Sequence, residues 1–191
     1  VLKSPDAHWQ RARRLLDVRH FAAARTTLSW LQPNHAPSTQ QISEAIDNPL
    51  RFLARNYPPI DKSSRELLVL ALSRLAQTDY RGAAARIEVL SPTMPAADRA
   101  YLFGVLGWQA ARGNQPDALR WYHAAGSAEQ TEESRAWQVR TALRSQAWDE
   151  VRNAVELMSP VQRAQPEWTY WHGRALKELG RSGEARGDFD R

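Results

Sequence analysis

The stretch RELLVLALSRLAQTDYRGAAARIEVL, residues 65–90, decides the fold. Its first half places Leu67, Leu68, Ala71, Leu72 and Leu75 at the spacing of one buried helix face. Ser63 and Ser64 stand just ahead as N-cap candidates, because a short hydroxyl side chain accepts the backbone N–H groups that a helix start leaves unpaired. Thr78 and Asp79 interrupt the pattern, and a second helix starts near Tyr80. Two short helices joined in this way cannot bury their apolar faces alone, so neighbouring pairs must stack.

The pair recurs along the chain. Tyr80, Gln115, Trp148 and Ser182 open the second helices at spacings of 35, 33 and 34 residues, close to the roughly 34-residue period of TPR arrays. Three residues on stand Ala83, Ala118, Val151 and Ala185, and four further on the larger Ile87, Tyr122, Val155 and Phe189. Twelve residues before each small residue lie Ala71, Leu106, Val139 and Gly173, where a first helix needs modest side chains for close approach. An earlier pair is read over residues 6–16 and 21–31, with Ala24 and Leu28 echoing the small and large positions. Between it and the regular array, Pro33, Pro37, Pro49, Pro58 and Pro59 mark turns around helices over residues 39–46 and 50–55. No sustained strand alternation competes with this reading. The expected fold is all-α, a right-handed α-superhelix (solenoid) of TPR-like helix pairs. It forms one domain over residues 1–191, irregular over 1–60 and regular over 61–191.

Composition narrows the function classes. At 42% hydrophobic and 25% charged residues, the chain is that of a folded protein rather than a disordered tail. Its 26 basic against 21 acidic residues favour polyanionic or carboxylate-bearing partners. The basic residues are spread through almost every helix, so a solvated surface is expected and nucleic acid is not. No run is apolar enough for a membrane span, and zero cysteines leave the redox compartment open. Starting at Val1 and stopping at Arg191 just past Phe189, the chain is expected to be a segment of a longer protein with its last repeat exposed.

Catalytic equipment is sparse. His8, His20, His35, His123 and His172 include no i, i+4 pair and read as scattered surface residues, so no metal is expected. Phosphate loops, nucleophile elbows and cysteine nucleophiles are missing, and no catalytic residue or cofactor is assigned. Glu132 and Glu133 are the obvious carboxyl pair for glycosidic chemistry, but just ahead of Ser134 they read as first-turn acids facing a helix dipole. Trp108, Trp121, Trp137, Trp148, Trp168 and Trp171 concentrate in the second half. Most are expected to pack between helices; Trp168 and Trp171 lie near a helix start, where an indole face is free to meet a ligand.

Residues 133–189 resemble the superhelical U-domain of soluble lytic transglycosylases. The resemblance rests on Ser134-Arg135-Ala136-Trp137-Gln138-Val139-Arg140-Thr141-Ala142-Leu143 ahead of Trp148-Asp149, and on Met158-Ser159-Pro160 ahead of Glu167-Trp168-Thr169-Tyr170-Trp171. Arg174-Ala175-Leu176 and Leu179-Gly180-Arg181 follow, and the Trp-x-Tyr-Trp cluster is the most specific piece. Upstream, Ala45, Asn48-Pro49, Phe52-Leu53, the helix from Glu66 through Ala76, and Gly107-Trp108 ahead of Ala118 and Trp121 are similar to the same domain. The resemblance implies a periplasmic enzyme that cleaves the MurNAc–GlcNAc bond of peptidoglycan to 1,6-anhydro products with a lysozyme-like domain C-terminal to everything in this chain. That domain's Glu-Ser motif and Gly-Leu-Met-Gln stretch are missing here; Glu133-Ser134 shares only the dipeptide, so no catalytic residue carries over.

Two readings follow. One is a non-catalytic scaffold segment of such an enzyme, with Trp168, Trp171 and Arg174 as candidate glycan contacts, and peptidoglycan and other cell-wall proteins as partners. The other is a stand-alone TPR-like adaptor that binds a protein or peptide in its groove. The three lysines, Lys3, Lys62 and Lys177, are few for a peptide-clamping groove.

Overall fold

A computed structural model describes residues 4–32, 36–55, 59 and 61–189. The expectations attached to Lys3, Pro33, His35, Pro58 and the Phe189 side chain lie outside the described residues. Every regular element among the described residues is helical. The chain divides into two compact units, Val1–Leu106 and Gly107–Arg191.

The first unit holds α1 (Pro5–Asp17), α2 (Phe21–Ser29), α3 (Thr39–Asp47), α4 (Pro49–Ala54), α5 (Lys62–Ala76), α6 (Tyr80–Leu90), a 3-10 turn at Ser91–Thr93, and the start of α7 (Ala96–Arg112). Local chemistry sets most of these boundaries. Ser4 caps α1 by accepting the Ala7 N–H, with Pro5 in the first turn, where a missing N–H costs nothing. Asn48 closes α3 and caps α4 through its side chain, which accepts the Arg51 N–H at 3.2 Å. The cap of α5 is Asp61 rather than Ser63 or Ser64: its carboxylate accepts the Ser64 N–H at 2.7 Å, and the Ser64 hydroxyl accepts the Asp61 N–H at 3.1 Å. An ionised cap accepts more strongly than a hydroxyl, and Ser64 is recruited as its reciprocal partner three positions into the helix. The Ser64 N–H, together with the Ser64 hydroxyl that donates to Asp61 Oδ1 at 2.9 Å, holds the exposed Asp61 carboxyl below the usual carboxylate range. Trp9, Leu16, Leu28, Ile46, Phe52, Leu67 and Leu70 from α1 to α5 form one buried cluster.

The second unit holds the end of α7, then α8 (Ala118–Ala125), α9 (Glu132–Arg144), α10 (Trp148–Glu156), α11 (Pro160–Arg163), α12 (Pro166–Glu178) and α13 (Ser182–Phe189). Its core gathers Val139 and Ala142 from α9, Val151 and Val155 from α10, then Met158, and Trp168 and Ala175 from α12. Gly107 lets α7 approach α8: a Cβ there would stand 2.8 Å from the Tyr122 ring. The single turn α11 has no counterpart in the sequence reading. Ser159 caps it by accepting the Gln162 N–H at 3.1 Å, and Pro160 occupies its first position.

The helix-pair register holds. Ala71, Leu106, Val139 and Gly173 are buried, as are Ala83, Ala118, Val151 and Ala185, and the large Ile87, Tyr122 and Val155. One opening differs: α8 begins at Ala118, because residues 113–117 form a turn instead of helix. A common turn joins most pairs. Arg19, Asn114, Gln146 and Gly180 take positive φ of 60°, 52°, 51° and 77°. The next N–H donates five residues back in each: His20 to Leu15, Gln115 to Ala110, Ala147 to Ala142 and Arg181 to Leu176. This left-handed cap satisfies the carbonyls that a helix end leaves open. The α5–α6 turn closes differently, with Asp79 N–H donating four residues back to Leu75.

Candidate functional site

The sequence candidates stand on α12, which Pro166 starts. Trp168 is 3% exposed and its Nε1–H donates to Gln165 Oε1 at 3.2 Å. Its ring belongs to the core of the second unit, and the Arg140 guanidinium sits 5.4 Å from the ring centroid and 5.8 Å from that of Trp137. Arg140 also faces Glu167 at 3.5 Å. Trp171 is half-buried against the same core, and its ring meets Tyr170 edge-on with centroids 5.0 Å apart. Arg174 pairs with Glu178 at 2.7 Å and keeps a half-exposed side chain. The three candidates thus share one helix but differ in access: Trp168 is internal, Trp171 lies at the core edge, and Arg174 faces outward.

Sequence reasoning passed over Tyr170, which is 51% exposed. The signal was present: two residues past Trp168, it lies about 200° round the helix from a buried neighbour. Together Tyr170, the edge of Trp171 and Arg174 offer aromatic surface for the C–H face of a sugar ring and a guanidinium for a carboxylate. Trp108 and Trp121 are buried, in line with packing, while Trp137 and Trp148 are half-buried.

Two other titratable groups singled out in the sequence, Glu132 and His8, are engaged within the fold. Glu132 and Glu133 lie in the first turn of α9, as expected, beside the Thr131 cap, and Glu132 Oε1 accepts the Ser159 hydroxyl at 3.0 Å. His8 is not a surface residue: it is 8% exposed, with Nδ1 2.9 Å from the Ser4 carbonyl, because the one-turn spacing from the cap folds its ring over the start of α1. No set of His, Asp and Glu suited to a metal ion occurs among the described residues.

A polar cluster that the sequence did not announce links α1, α5 and α7 in the first unit. Arg13 pairs with Glu66 at 2.8 Å and Asp98 at 2.6 Å and stacks 4.9 Å from the Tyr101 centroid. The Tyr101 hydroxyl donates to Asp17 Oδ1 at 2.9 Å and lies 3.4 Å from the Ser73 hydroxyl. Burial pushes the Asp17 carboxyl up to about 7, against the Tyr101 hydrogen bond and the Arg13 charge that pull it down. Burial and the nearby Asp17 also drive the Tyr101 hydroxyl well above its ordinary value. A raised carboxyl is a common mark of acid–base sites; here its partners are all groups of the helix interface.

No family model matches the chain, and no curated protein matches it in sequence. Among solved structures the chain is similar to the 70-kDa soluble lytic transglycosylase in its complex with bulgecin A. The TM-score is 0.59 at 18% identity, over 97% of this chain and 31% of that one. The chain therefore spans about a third of the length of the protein it matches. At this identity the likeness concerns the fold, and it bears out the fold class expected from the helix-pair register.

Proposed function

We propose that the chain is a non-catalytic scaffold segment of a soluble lytic transglycosylase acting on peptidoglycan in the periplasm. The likeness to such an enzyme over 97% of the chain carries this reading, and the Trp-x-Tyr-Trp run of α12 supports it. The whole enzyme would cleave the MurNAc–GlcNAc bond to 1,6-anhydro products through a separate lysozyme-like domain. This segment would hold and orient the strand. Tyr170 and Trp171 supply aromatic surface, Arg174 a cation for the carboxylates of stem peptides, and the net charge of +5 draws the anionic polymer.

Co-sedimentation with purified sacculi, with chromatography of the released muropeptides, tests the reading. The chain is expected to pellet with sacculi in a salt-sensitive manner and to release no 1,6-anhydro products. Joined to a lysozyme-like domain, it is expected to release them. Release by the chain alone overturns the non-catalytic assignment, and failure to pellet at low salt removes peptidoglycan as the partner and leaves the adaptor reading.

A further inference from the structure

We propose that a cationic notch between the α1–α2 turn and the last turn of α5 binds the terminal carboxylate of a peptide. Arg74, in that last turn, lays its guanidinium 4.4 Å from the centroid of the Phe21 ring at the start of α2. Gln77, one turn further on, donates its Nε2–H to the Leu16 carbonyl at 2.9 Å and so ties the end of α5 to the end of α1. Arg19 stands in the turn between α1 and α2, just ahead of Phe21. Arg74 and Gln77 are half-buried and Arg19 is exposed, so a ligand reaches them from solvent.

Two buried atoms of the notch lack partners. Arg74 Nε has no acceptor and Gln77 Oε1 has no donor among the described residues. The i, i+3 spacing puts the two side chains on one face of α5. The helix-end carbonyls nearby are already taken. Leu15 accepts the His20 N–H, Leu16 the Arg19 N–H and the Gln77 side chain, and Leu75 the Thr78 and Asp79 N–H groups. The fold therefore leaves a donor and an acceptor desolvated without a hydrogen bond in return.

Charge selects what answers them. Arg19 and Arg74 join no ion pair among the described residues, and the carboxylate of Asp47 is bound by Arg25. Asp17 is held by the Tyr101 hydroxyl beside Arg13, and Asp79 is committed to capping α6. Burial and then the charge of Arg19 lower the Arg74 guanidinium, and Asp47 offsets them only in part. Three guanidiniums thus share one carboxylate, and a further anion relieves their repulsion. An inorganic anion would satisfy Arg74 and leave Gln77 Oε1 open. A peptide C-terminus carries both complements on one residue: carboxylate oxygens for the Arg74 Nε–H and Arg19, and an amide N–H for Gln77 Oε1. This proposal stands apart from the scaffold reading.

The test titrates the chain with N-acetyl-alanyl-alanine, with the same dipeptide capped as its C-terminal amide, and with inorganic phosphate. Binding is read from the nitrogen–proton NMR signals of Arg74 Nε and of the Gln77 side-chain amide. The free dipeptide is expected to shift both signals at millimolar concentration and to bind roughly tenfold tighter than its amide. Phosphate should bind more weakly and shift Arg74 alone. Arg74→Met keeps an apolar contact for Phe21 and should abolish dipeptide binding, and Arg19→Ser should weaken it severalfold, with circular dichroism confirming unchanged helix content. No shift of Arg74 with the dipeptide, equal binding of dipeptide and amide, or unaltered binding by Arg74→Met overturns the proposal. Phosphate binding as tight as that of the dipeptide overturns it too, and names a general anion site.

Discussion

Arg13 in the first unit and Arg135 in the second are both largely buried, and the two are held in opposite ways. Burial alone would lower the Arg13 guanidinium, but Glu66 and Asp98 outweigh it and keep it above its ordinary value. Arg135 is 4% exposed and pairs with no carboxylate among the described residues. Its nitrogens donate to Gln138 Oε1 at 2.8 Å and the Ala128 carbonyl at 2.6 Å, and burial leaves it below its ordinary value. Arg13 joins three helices distant in sequence, whereas Arg135 ties the loop ahead of α9 to α9 itself. One is a long-range ionic clasp and the other a local hydrogen-bonded strut, so the same residue type contributes by different physics.

The largest test of that contrast removes each cation. Arg13→Met leaves Glu66 and Asp98 facing each other in a poorly solvated interface and is expected to cost about 3 kcal/mol or more in urea unfolding. Arg135→Met leaves two oxygens without donors but also removes an unpaired buried charge, so a loss of about 1–3 kcal/mol is expected. An Arg135→Met loss equal to that of Arg13→Met would break the distinction. Hydrogen exchange should report the first loss in α1 and α5, and the second in residues 126–135.

A pH titration sharpens the comparison. Burial pushes the Asp17 carboxyl up to about 7 in the folded chain, against an ordinary value of 3.8. The folded state therefore binds the proton more tightly than the unfolded chain does. The stability that this provides is complete below about pH 4 and is lost as pH rises through about 7. Glu66, raised by burial in spite of Arg13, acts in the same direction. Asp17→Asn keeps an acceptor for the Tyr101 hydroxyl without the charge, and should remove a slope worth roughly 2–4 kcal/mol between pH 4 and 8. An unchanged pH profile in that variant would show that the cluster is better solvated than its geometry indicates.

The smallest expected effects lie in the left-handed turns, which the two units share. Gln146→Gly should stabilise the second unit by about 1 kcal/mol, and Arg19→Gly the first by a similar amount, since glycine adopts positive φ without a Cβ clash. Gly180→Ala should destabilise by about 1 kcal/mol. Thermal unfolding reads all three.

How far the sequence could be read depended on the range of the interaction. The small and large positions of each pair were legible because burial imposes a helical period on residue size, and Ala83, Ile87, Ala118 and Val151 obey it to complete burial. Helix starts were legible to within a few residues, since caps act over three positions; Asp61 displaced Ser63 and Ser64 only because a charged acceptor competes better. The turns were less legible. Glycine at a left-handed cap is a recognisable sign, but Arg19 and Gln146 occupy the same conformation without announcing it. In the α12 region, the aromatic run was evident, while the internal position of Trp168 and the exposure of Tyr170 depended on which face of α12 met α9 and α10.

The sequence by itself determined the helices, their pairing and their period, because propensity, capping and amphipathic spacing act within a turn or two of the chain. Only the tertiary structure decided that Arg13 meets Glu66 and Asp98 across 53 and 85 residues, and that Arg74 of α5 lies on Phe21 of α2. Such meetings depend on how helix faces pack at distances along the chain that no local pattern encodes.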